Sequence, residues 1–324
     1  MRNTFLDCTR GLGICLVVFG HVERGLSDAH LLPANYPFAH IDFTLYTFHM
    51  PLFFLLAGLY VWPALEKSRG AFIGSKFMSI VVPYFAWSII QGGVQIAMAH
   101  STNHSLALSD WPKLFYAPIG QFWFLYALMI WQLVAFACGR RGPALMVIAI
   151  LALVFSTALP ESIFTTTMKM GVFFAAGAAI GPQLERHIAS IAHWKSFVIC
   201  CGAFGVAVRA IWNVAPVYSW QALPAAIFGM GIIMIVCYWA NRTPAKAPLA
   251  LCGQRSMDIY VMHIMAAAGI RIVLTKAGVE NAYALLLIAT AAGVVLPLGV
   301  SQALQRTSGL IRGAFRAPRT GVQS

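Results

Sequence analysis

The sequence predicts an all-α polytopic membrane protein with about ten transmembrane helices and both termini on the cytoplasmic side. The chain has 324 residues, of which 60% are hydrophobic and only 10% are charged. Soluble domains carry about 25% charged residues, whereas the mean hydropathy of this chain is +0.75. The third observation is the recurrence of long apolar segments, separated by short loops that hold most of the charge.

Ten apolar segments approach the length of about 20 residues that a helix needs to cross a bilayer. The predicted spans are residues 9–26, 43–63, 76–98, 118–138, 143–160, 165–183, 195–213, 219–240, 256–275 and 280–304. With the N-terminus inside, most of the 22 Lys and Arg residues fall on the cytoplasmic side, as the positive-inside rule requires. We therefore predict a transmembrane domain over residues 1–304 and a basic cytoplasmic tail over residues 305–324.

The first apolar segment is predicted to remain as a helix rather than to be removed as a signal peptide. The acidic Asp7 precedes it, no small-residue cleavage site follows it, and many similar segments come after it. The net charge of +12 does not indicate a nucleic-acid partner, because the basic residues are dispersed in loops between spans. The seven cysteines show no metal-ligand spacing and no disulfide framework, so we predict no metal site.

The segment LDCTRGLGICLVVFGH, residues 6–21, has a pattern that packing alone does not require. If it is helical, Arg10 and His21 are about three turns apart, within about 20° of one face and roughly 16 Å along the axis. Asp7 lies one turn before Arg10 on the same side. One stripe of the helix would then carry a carboxylate, a guanidinium and a deep imidazole. His21 is a candidate general base, and the alternative is a structural histidine bonded to a carbonyl.

Two further histidines lie inside predicted spans. His49 begins the run HMPLFFLLAGLY, where Pro51 frees a carbonyl in the preceding turn. It is either a second catalytic imidazole that meets His21 or a structural histidine at the proline. His263 lies in SMDIYVMHI with Ser256 and Tyr260 at helical spacing, and these three are candidate substrate-binding residues. For His263 the structural alternative is equally open, and Ser256 is alternatively a helix cap.

Three other side chains have both a functional and an ordinary interpretation. Lys76 precedes FMSIVVPYFAW and is either a positive-inside anchor or a phosphate contact beside Arg10. Trp123 and Tyr126 lie in QFWFLYALMIWQL. They are either interfacial belt residues or a wall on which a sugar ring stacks.

Taken in order, these segments resemble the membrane acyltransferase 3 family. The matching pieces are LD-x-x-RG at residues 6–11, the spacing from Arg10 to His21, FHMPLFFLLAGL at 48–59, Lys76 followed by Pro83-Tyr84, FWFL at 122–125 and S-x-x-IY-x-x-H at 256–263. Each piece is weak alone, but the ordered set is fairly specific and covers most of the chain. The sequence lacks the fused extracytoplasmic hydrolase-like domain of longer members, which leaves the acceptor open.

The resemblance implies an O-acyltransferase of the bacterial cytoplasmic membrane. The donor would be an acyl-CoA, most often acetyl-CoA, and the acceptor a hydroxyl of an extracytoplasmic or lipid-linked glycan. By resemblance too, Arg10 and His21 would be the essential pair. From their positions in the sequence, Asp7 would orient Arg10, Lys76 and Arg255 would be further phosphate contacts, and His49 or His263 would stabilise the oxyanion. Direct transfer and a covalent acyl-histidine both remain open.

Two other functions compete with this interpretation. A transporter or channel would use the same intramembrane charges to move a solute. No inverted repeat of Gly- or Pro-broken spans is visible in the sequence, which disfavours that class. The third alternative is a structural partner in glycan assembly, for which Arg10 would be dispensable.

Overall fold

The computed structural model describes residues 3–66, 68–97 and 108–306, and within these residues every regular element is helical. The predicted cytoplasmic tail lies outside the described residues, apart from residues 305 and 306, which end the final helix. The α-helices are α1 (Thr4–Asp28), α2 (Phe38–Tyr46), α3 (His49–Gly58), α4 (Val61–Leu65), α5 (Arg69–Lys76), α6 (Val82–Ala97), α7 (Trp123–Cys138), α8 (Gly142–Ser156), α9 (Ile163–Ile180), α10 (Leu184–Ile191), α11 (Trp194–Ile211), α12 (Leu223–Ala240), α13 (Lys246–Gln254), α14 (Ser256–Lys276) and α15 (Ala282–Arg306).

Short irregular turns join several of these helices. A π-helical turn, Phe77–Val81, leads into α6. Four 3₁₀ turns precede or follow the long helices: Leu108–Phe115, Gly120–Phe122, Gly181–Gln183 and Trp220–Ala222.

The prediction of an all-helical membrane protein is confirmed. Among the described residues, nine helical segments are long and apolar enough to cross a membrane. They are Thr4–Asp28, Phe38–Gly58, Arg69–Ala97, Trp111–Cys138, Ile163–Ile191, Trp194–Ile211, Trp220–Ala240, Ser256–Lys276 and Ala282–Leu304. The fifth predicted span coincides with α8, an apolar helix of 15 residues that is shorter than the others. The cytoplasmic placement of both termini stays a prediction.

The chain divides into two compact units, and α1 contributes to both of them. The first unit comprises Met1–Gly13, Phe43–Lys76 and Ala127–Gln254. The second unit comprises Ile14–Asp42, Phe77–Tyr126 and Arg255–Ser324. Each unit therefore draws on segments that are distant in sequence.

Glycines let helices of the first unit approach each other to backbone contact. A Cβ at Gly58 would lie 2.0 Å from the Phe174 carbonyl oxygen, and one at Gly177 would lie 2.0 Å from that of Leu55. Helices α3 and α9 therefore cross at a point where neither can carry a side chain. Small residues that permit such close crossings are typical of helix packing in membranes.

A second crossing of this kind holds the start of α1 against α13. A Cβ at Gly11 would lie 1.9 Å from the Leu249 carbonyl oxygen, and one at Gly253 would lie 1.8 Å from the Asp7 carbonyl oxygen. This reciprocal contact fixes the helical turn that carries Asp7 and Arg10.

The second unit is assembled around α14. A Cβ at Gly293 of α15 would lie 2.6 Å from Cγ1 of Val18 and 3.6 Å from the His263 carbonyl oxygen. The absence of a side chain at Gly293 therefore lets α15 pack closely against both α1 and α14. The hydroxyl of Tyr84 in α6 donates to the Leu114 carbonyl, which ties α6 to the turn before α7.

The connection after α1 is held against that helix by polar contacts. The Tyr36 hydroxyl donates a hydrogen bond of 2.8 Å to Oε1 of Glu23. Glu23 is fully buried, with 0% exposure. Burial and this hydrogen bond raise the pKa of Tyr36 above its ordinary value, so its hydroxyl stays a donor at neutral pH. Arg24 makes a bidentate contact with Asp42, whose second bond is 2.9 Å. The C-terminal end of α1 is thus fixed by two separate pairs.

Candidate active site

The helix predicted around residues 6–21 forms one uninterrupted element, α1. Arg10 and His21 are therefore separated by 11 residues of regular helix, or roughly 16 Å along its axis. Asp7 lies 3.6 Å from Arg10, from Oδ1 to Nη1, at the predicted spacing of one turn. The predicted stripe is thus present on α1.

His21 and His263 form the centre of the candidate site in the second unit. Their ring centroids are 5.1 Å apart, and the ring planes are inclined at 51°. His263 has 0% exposure, while His21 is partly buried. Two imidazoles from distant parts of the sequence therefore meet inside helices that are apolar enough to span a membrane.

Tyr260, one helical turn before His263, fixes this part of α14. Its hydroxyl donates to the Gln121 carbonyl, and its ring lies 5.6 Å from the ring of Phe124. The Gln121 amide in turn exchanges two hydrogen bonds with the Gln91 amide, at 2.7 and 3.2 Å. All three polar side chains are buried. This network joins α14, the start of α7 and α6 around the histidine pair.

The first unit surrounds Arg10 with groups that can orient its guanidinium. Asp7 has 2% exposure and also accepts a hydrogen bond of 3.3 Å from Nε2 of Gln254. The guanidinium carbon of Arg10 lies 6.0 Å from the ring centroid of Tyr60. Burial raises the pKa of Tyr60, although the charge of Arg10 opposes this shift. Tyr60 therefore presents a neutral aromatic face to the guanidinium.

Arg255 is held by a second acidic group, in the other unit. Its Nη1 lies 3.6 Å from Oδ2 of Asp258 and 3.4 Å from Oγ of Ser301. Ser301 donates a hydrogen bond of 2.5 Å to the same carboxylate oxygen. Arg255 occupies the N-cap position of α14, but its side chain makes no hydrogen bond to the free backbone N–H groups of the first turn. Ser256 is the first residue of the helix, so the suggestion that it serves as the cap is not realised.

Lys76 and His49 both belong to the first unit, where they contact different groups from those around Arg10. The Lys76 ammonium lies 5.4 Å from the ring centroid of Phe72, at the end of α5. His49 has 1% exposure, its Nδ1 donates to the Leu45 carbonyl at 2.7 Å, and its ring packs edge-on against Tyr46 at 4.4 Å. The backbone bond fits the structural interpretation of His49. Because His21 belongs to the other unit, a meeting of the two rings stays a prediction.

Trp123 and Tyr126 lie in the first turn of α7 and are partly buried. Trp123 follows directly after the Gln121-Phe122 segment that contacts Tyr260. Tyr126 is 6.3 Å from the Tyr84 ring, between centroids. Trp123 is thus adjacent to the segment that supports the histidine pair, whereas the Tyr126 ring faces Tyr84 of α6.

Four buried polar residues of these networks were not singled out from the sequence: Glu23, Gln91, Gln121 and Ser301. Glu23 carried a signal, because a carboxylate within a predicted span is costly unless it has a function or a partner. Amides and hydroxyls within apolar segments carry little such signal. Among the described residues, no group of three or more His, Cys, Asp or Glu side chains is placed to hold a metal ion.

The fold and these residues define a polytopic membrane protein whose first helix carries a carboxylate-held arginine and a partly buried histidine beside the buried His263. Residues 3–305 match the family whose description is "Acyltransferase domain". The chain belongs to this family, the acyltransferase 3 family, and the resemblance seen in its motifs is confirmed.

Two curated relatives share part of the sequence. The nodulation protein NolL of Mesorhizobium japonicum is 29% identical over 138 residues, which are 40% of this chain and 34% of that protein. The nodulation protein NolL of Sinorhizobium fredii is 26% identical over 130 residues, with the same two shares. The matched part thus spans about a third of the length of each relative. No solved structure matches the chain significantly.

Proposed function

We propose that this chain is an integral membrane O-acyltransferase of the bacterial cytoplasmic membrane. It would move an acyl group, in the first instance acetyl, from cytoplasmic acyl-CoA to a hydroxyl of an extracytoplasmic or lipid-linked glycan. The observation that carries the proposal is the pair of His21 and His263, 5.1 Å apart, in a chain of the acyltransferase 3 family. A buried imidazole is the side chain best suited to take a hydroxyl proton near neutral pH.

In the proposed reaction, His21 accepts the proton of the acceptor hydroxyl while the hydroxyl oxygen attacks the thioester carbonyl. The tetrahedral intermediate then collapses, the carbon–sulfur bond breaks, and His21 returns the proton to the departing coenzyme A sulfur. The products are an O-acyl glycan and the free thiol. The route through an acyl-histidine gives the same products in two steps.

The donor would bind at the Arg10 end of α1. A guanidinium makes strong charge-assisted bonds to phosphate oxygens, and a neighbouring carboxylate fixes its orientation. The contacts of Arg10 with Asp7 and Tyr60 supply that orientation. The separation of roughly 16 Å from Arg10 to His21 is comparable to the length of a pantetheine arm. Lys76 and Arg255 are proposed as additional phosphate contacts.

The acceptor would be held by aromatic and polar groups of the second unit. Trp123, Tyr126, Tyr260 and Ser256 are the proposed contacts, because aromatic faces and hydroxyls suit a sugar ring, and His263 lies beside Tyr260 on α14. The names of the NolL relatives identify them as nodulation proteins. They do not specify the acceptor of this chain, which the proposal leaves at the level of a glycan hydroxyl.

An assay with purified protein distinguishes an acyltransferase from a transporter. Detergent-solubilised protein is incubated with radiolabelled acetyl-CoA and an oligosaccharide mixture from the host's surface polysaccharide. We expect base-labile label in the oligosaccharide and an equal amount of free thiol, with no ion gradient present. Thiol release without labelled sugar would indicate hydrolysis alone. Gradient-driven uptake of a solute by proteoliposomes, without any transfer, would overturn the proposal in favour of a transporter.

A further inference from the structure

The His263 ring is engaged at one nitrogen and available at the other. Its Nδ1 lies 2.7 Å from the Tyr260 carbonyl oxygen and 3.2 Å from that of Ile259. Carbonyl oxygens only accept hydrogen bonds, so Nδ1 carries the proton. In the neutral ring, Nε2 therefore presents a lone pair, and it has no hydrogen-bond partner within the part of the chain that the structure describes.

The surroundings of His263 favour this neutral form. The residue has 0% exposure, and a charged imidazole in such a position is costly unless it is paired. A buried acceptor without a partner is also costly. A donor that reaches this lone pair would therefore gain a hydrogen bond and satisfy a buried acceptor.

His21 is placed to be that donor. A linear N–H···N bond of about 3 Å between two imidazoles brings their ring centroids to roughly 5 Å. The observed distance is 5.1 Å, and the inclination of 51° leaves a rotation of one ring to complete the bond. His21 is only partly buried, whereas His263 has 0% exposure and is held at Nδ1, so the rotation is assigned to His21.

We propose that His263 is a positioning residue whose Nε2 accepts a hydrogen bond from His21 during acyl transfer. This inference rests on the proposed function. The bond would leave the other nitrogen of His21 unprotonated and directed at the acceptor hydroxyl. When His21 takes the hydroxyl proton, it carries a positive charge for the lifetime of the intermediate, and the His263 lone pair stabilises that charge. His21 then returns the proton to the coenzyme A sulfur, so His263 itself neither gains nor loses a proton.

This role differs from the three roles that the sequence left open for His263, which are a substrate contact, an oxyanion contact and a structural histidine. An oxyanion contact requires an N–H directed at the substrate, but in the neutral ring the only N–H faces the Tyr260 carbonyl. A purely structural role requires only that same Nδ1 bond. A structural role does not use the lone pair on Nε2. That lone pair is the acceptor required for a hydrogen bond that orients the His21 ring.

Two substitutions test the contributions of the two ring nitrogens of His263 separately. His263→Asn retains a donor near the position of Nδ1 but has no acceptor at Nε2. His263→Gln places an amide oxygen near Nε2 but loses the Nδ1 bond. We expect kcat for acyl transfer to fall about 10- to 100-fold in His263→Asn, because the variant loses a hydrogen bond to a charged imidazolium. His263→Gln should retain several-fold more activity, and KM for acetyl-CoA should be unchanged in both.

The opposite ranking, with His263→Asn near the wild-type kcat and His263→Gln impaired, would overturn the proposal in favour of a structural role. Equal loss in both variants would overturn it as well. Thermal melting of each variant reports on folding separately from catalysis. Spectra of nitrogen-15-labelled histidine in the wild type supply a readout that needs no turnover. A protonated Nε2 on His263 in the resting protein would contradict the proposal even if acyl transfer is confirmed.

Discussion

Replacing His21 by alanine is expected to lower the rate of acyl transfer by about 100- to 10,000-fold, which is the usual contribution of a general base. His21 is the histidine on the stripe that begins with Asp7 and Arg10, and its ring is 5.1 Å from that of His263. Truncation to Cβ removes the proton acceptor but leaves α1 with a good helix former. The loss should therefore appear in kcat rather than in the yield of inserted protein.

The measurement is initial-rate kinetics of purified protein with acetyl-CoA and acceptor oligosaccharide. His187→Ala is the matched control, because His187 is an exposed histidine of α10. It should keep the wild-type kcat. A His21→Ala protein that is made, inserted and fully active would end the assignment of His21 as the base, whichever acyl donor is used.

The second large effect concerns assembly rather than chemistry. Gly253→Ala would place a Cβ 1.8 Å from the Asp7 carbonyl oxygen and 3.0 Å from the Gly11 nitrogen. Both obstacles are main-chain atoms of α1, so no side-chain rotation relieves the overlap and the helices must separate. Overpacking of this kind costs about 1–3 kcal/mol, or more where backbone must move. We expect a lower melting temperature and a weakened contact between Gln254 and Asp7.

Thermal melting of detergent-solubilised protein tests this expectation. Gly202→Ala is the control, because Gly202 lies in the interior of α11 with open space around its Cα. Alanine there should leave the melting temperature unchanged or raise it, since glycine in a helix interior costs about 0.5–1 kcal/mol relative to alanine. Equal melting temperatures for Gly253→Ala and the wild type would contradict the reciprocal crossing of α1 and α13.

The sequence was a good guide to α1 and to the helical class because both follow from local composition. The spacing of Asp7, Arg10 and His21 needs only a regular helix, and the structure provides one from Thr4 to Asp28. The length of α8 was less predictable. Apolar residues continue to Leu159 in the sequence, but the helix ends at Ser156, before Pro160.

The long-range partners of the site residues could not be predicted, because they come from distant parts of the chain. Tyr260 reaches a carbonyl 139 residues away, and Gln254 reaches Asp7 across 247 residues. No local period relates such positions. The role of His263 shows the same limit. Its spacing to Tyr260 was visible in the sequence, and the Tyr260 carbonyl that fixes its tautomer is local to α14, but the proximity of His21 is a tertiary contact.

The proposed reaction moves an acyl group from a donor on one side of the membrane to a hydroxyl on the other side. The most direct test uses sealed proteoliposomes with acetyl-CoA trapped inside and membrane-impermeant acceptor oligosaccharide outside. We predict O-acetylated oligosaccharide outside, with an equal amount of free coenzyme A retained inside. Acetylation that occurs only when donor and acceptor share one compartment would contradict the account.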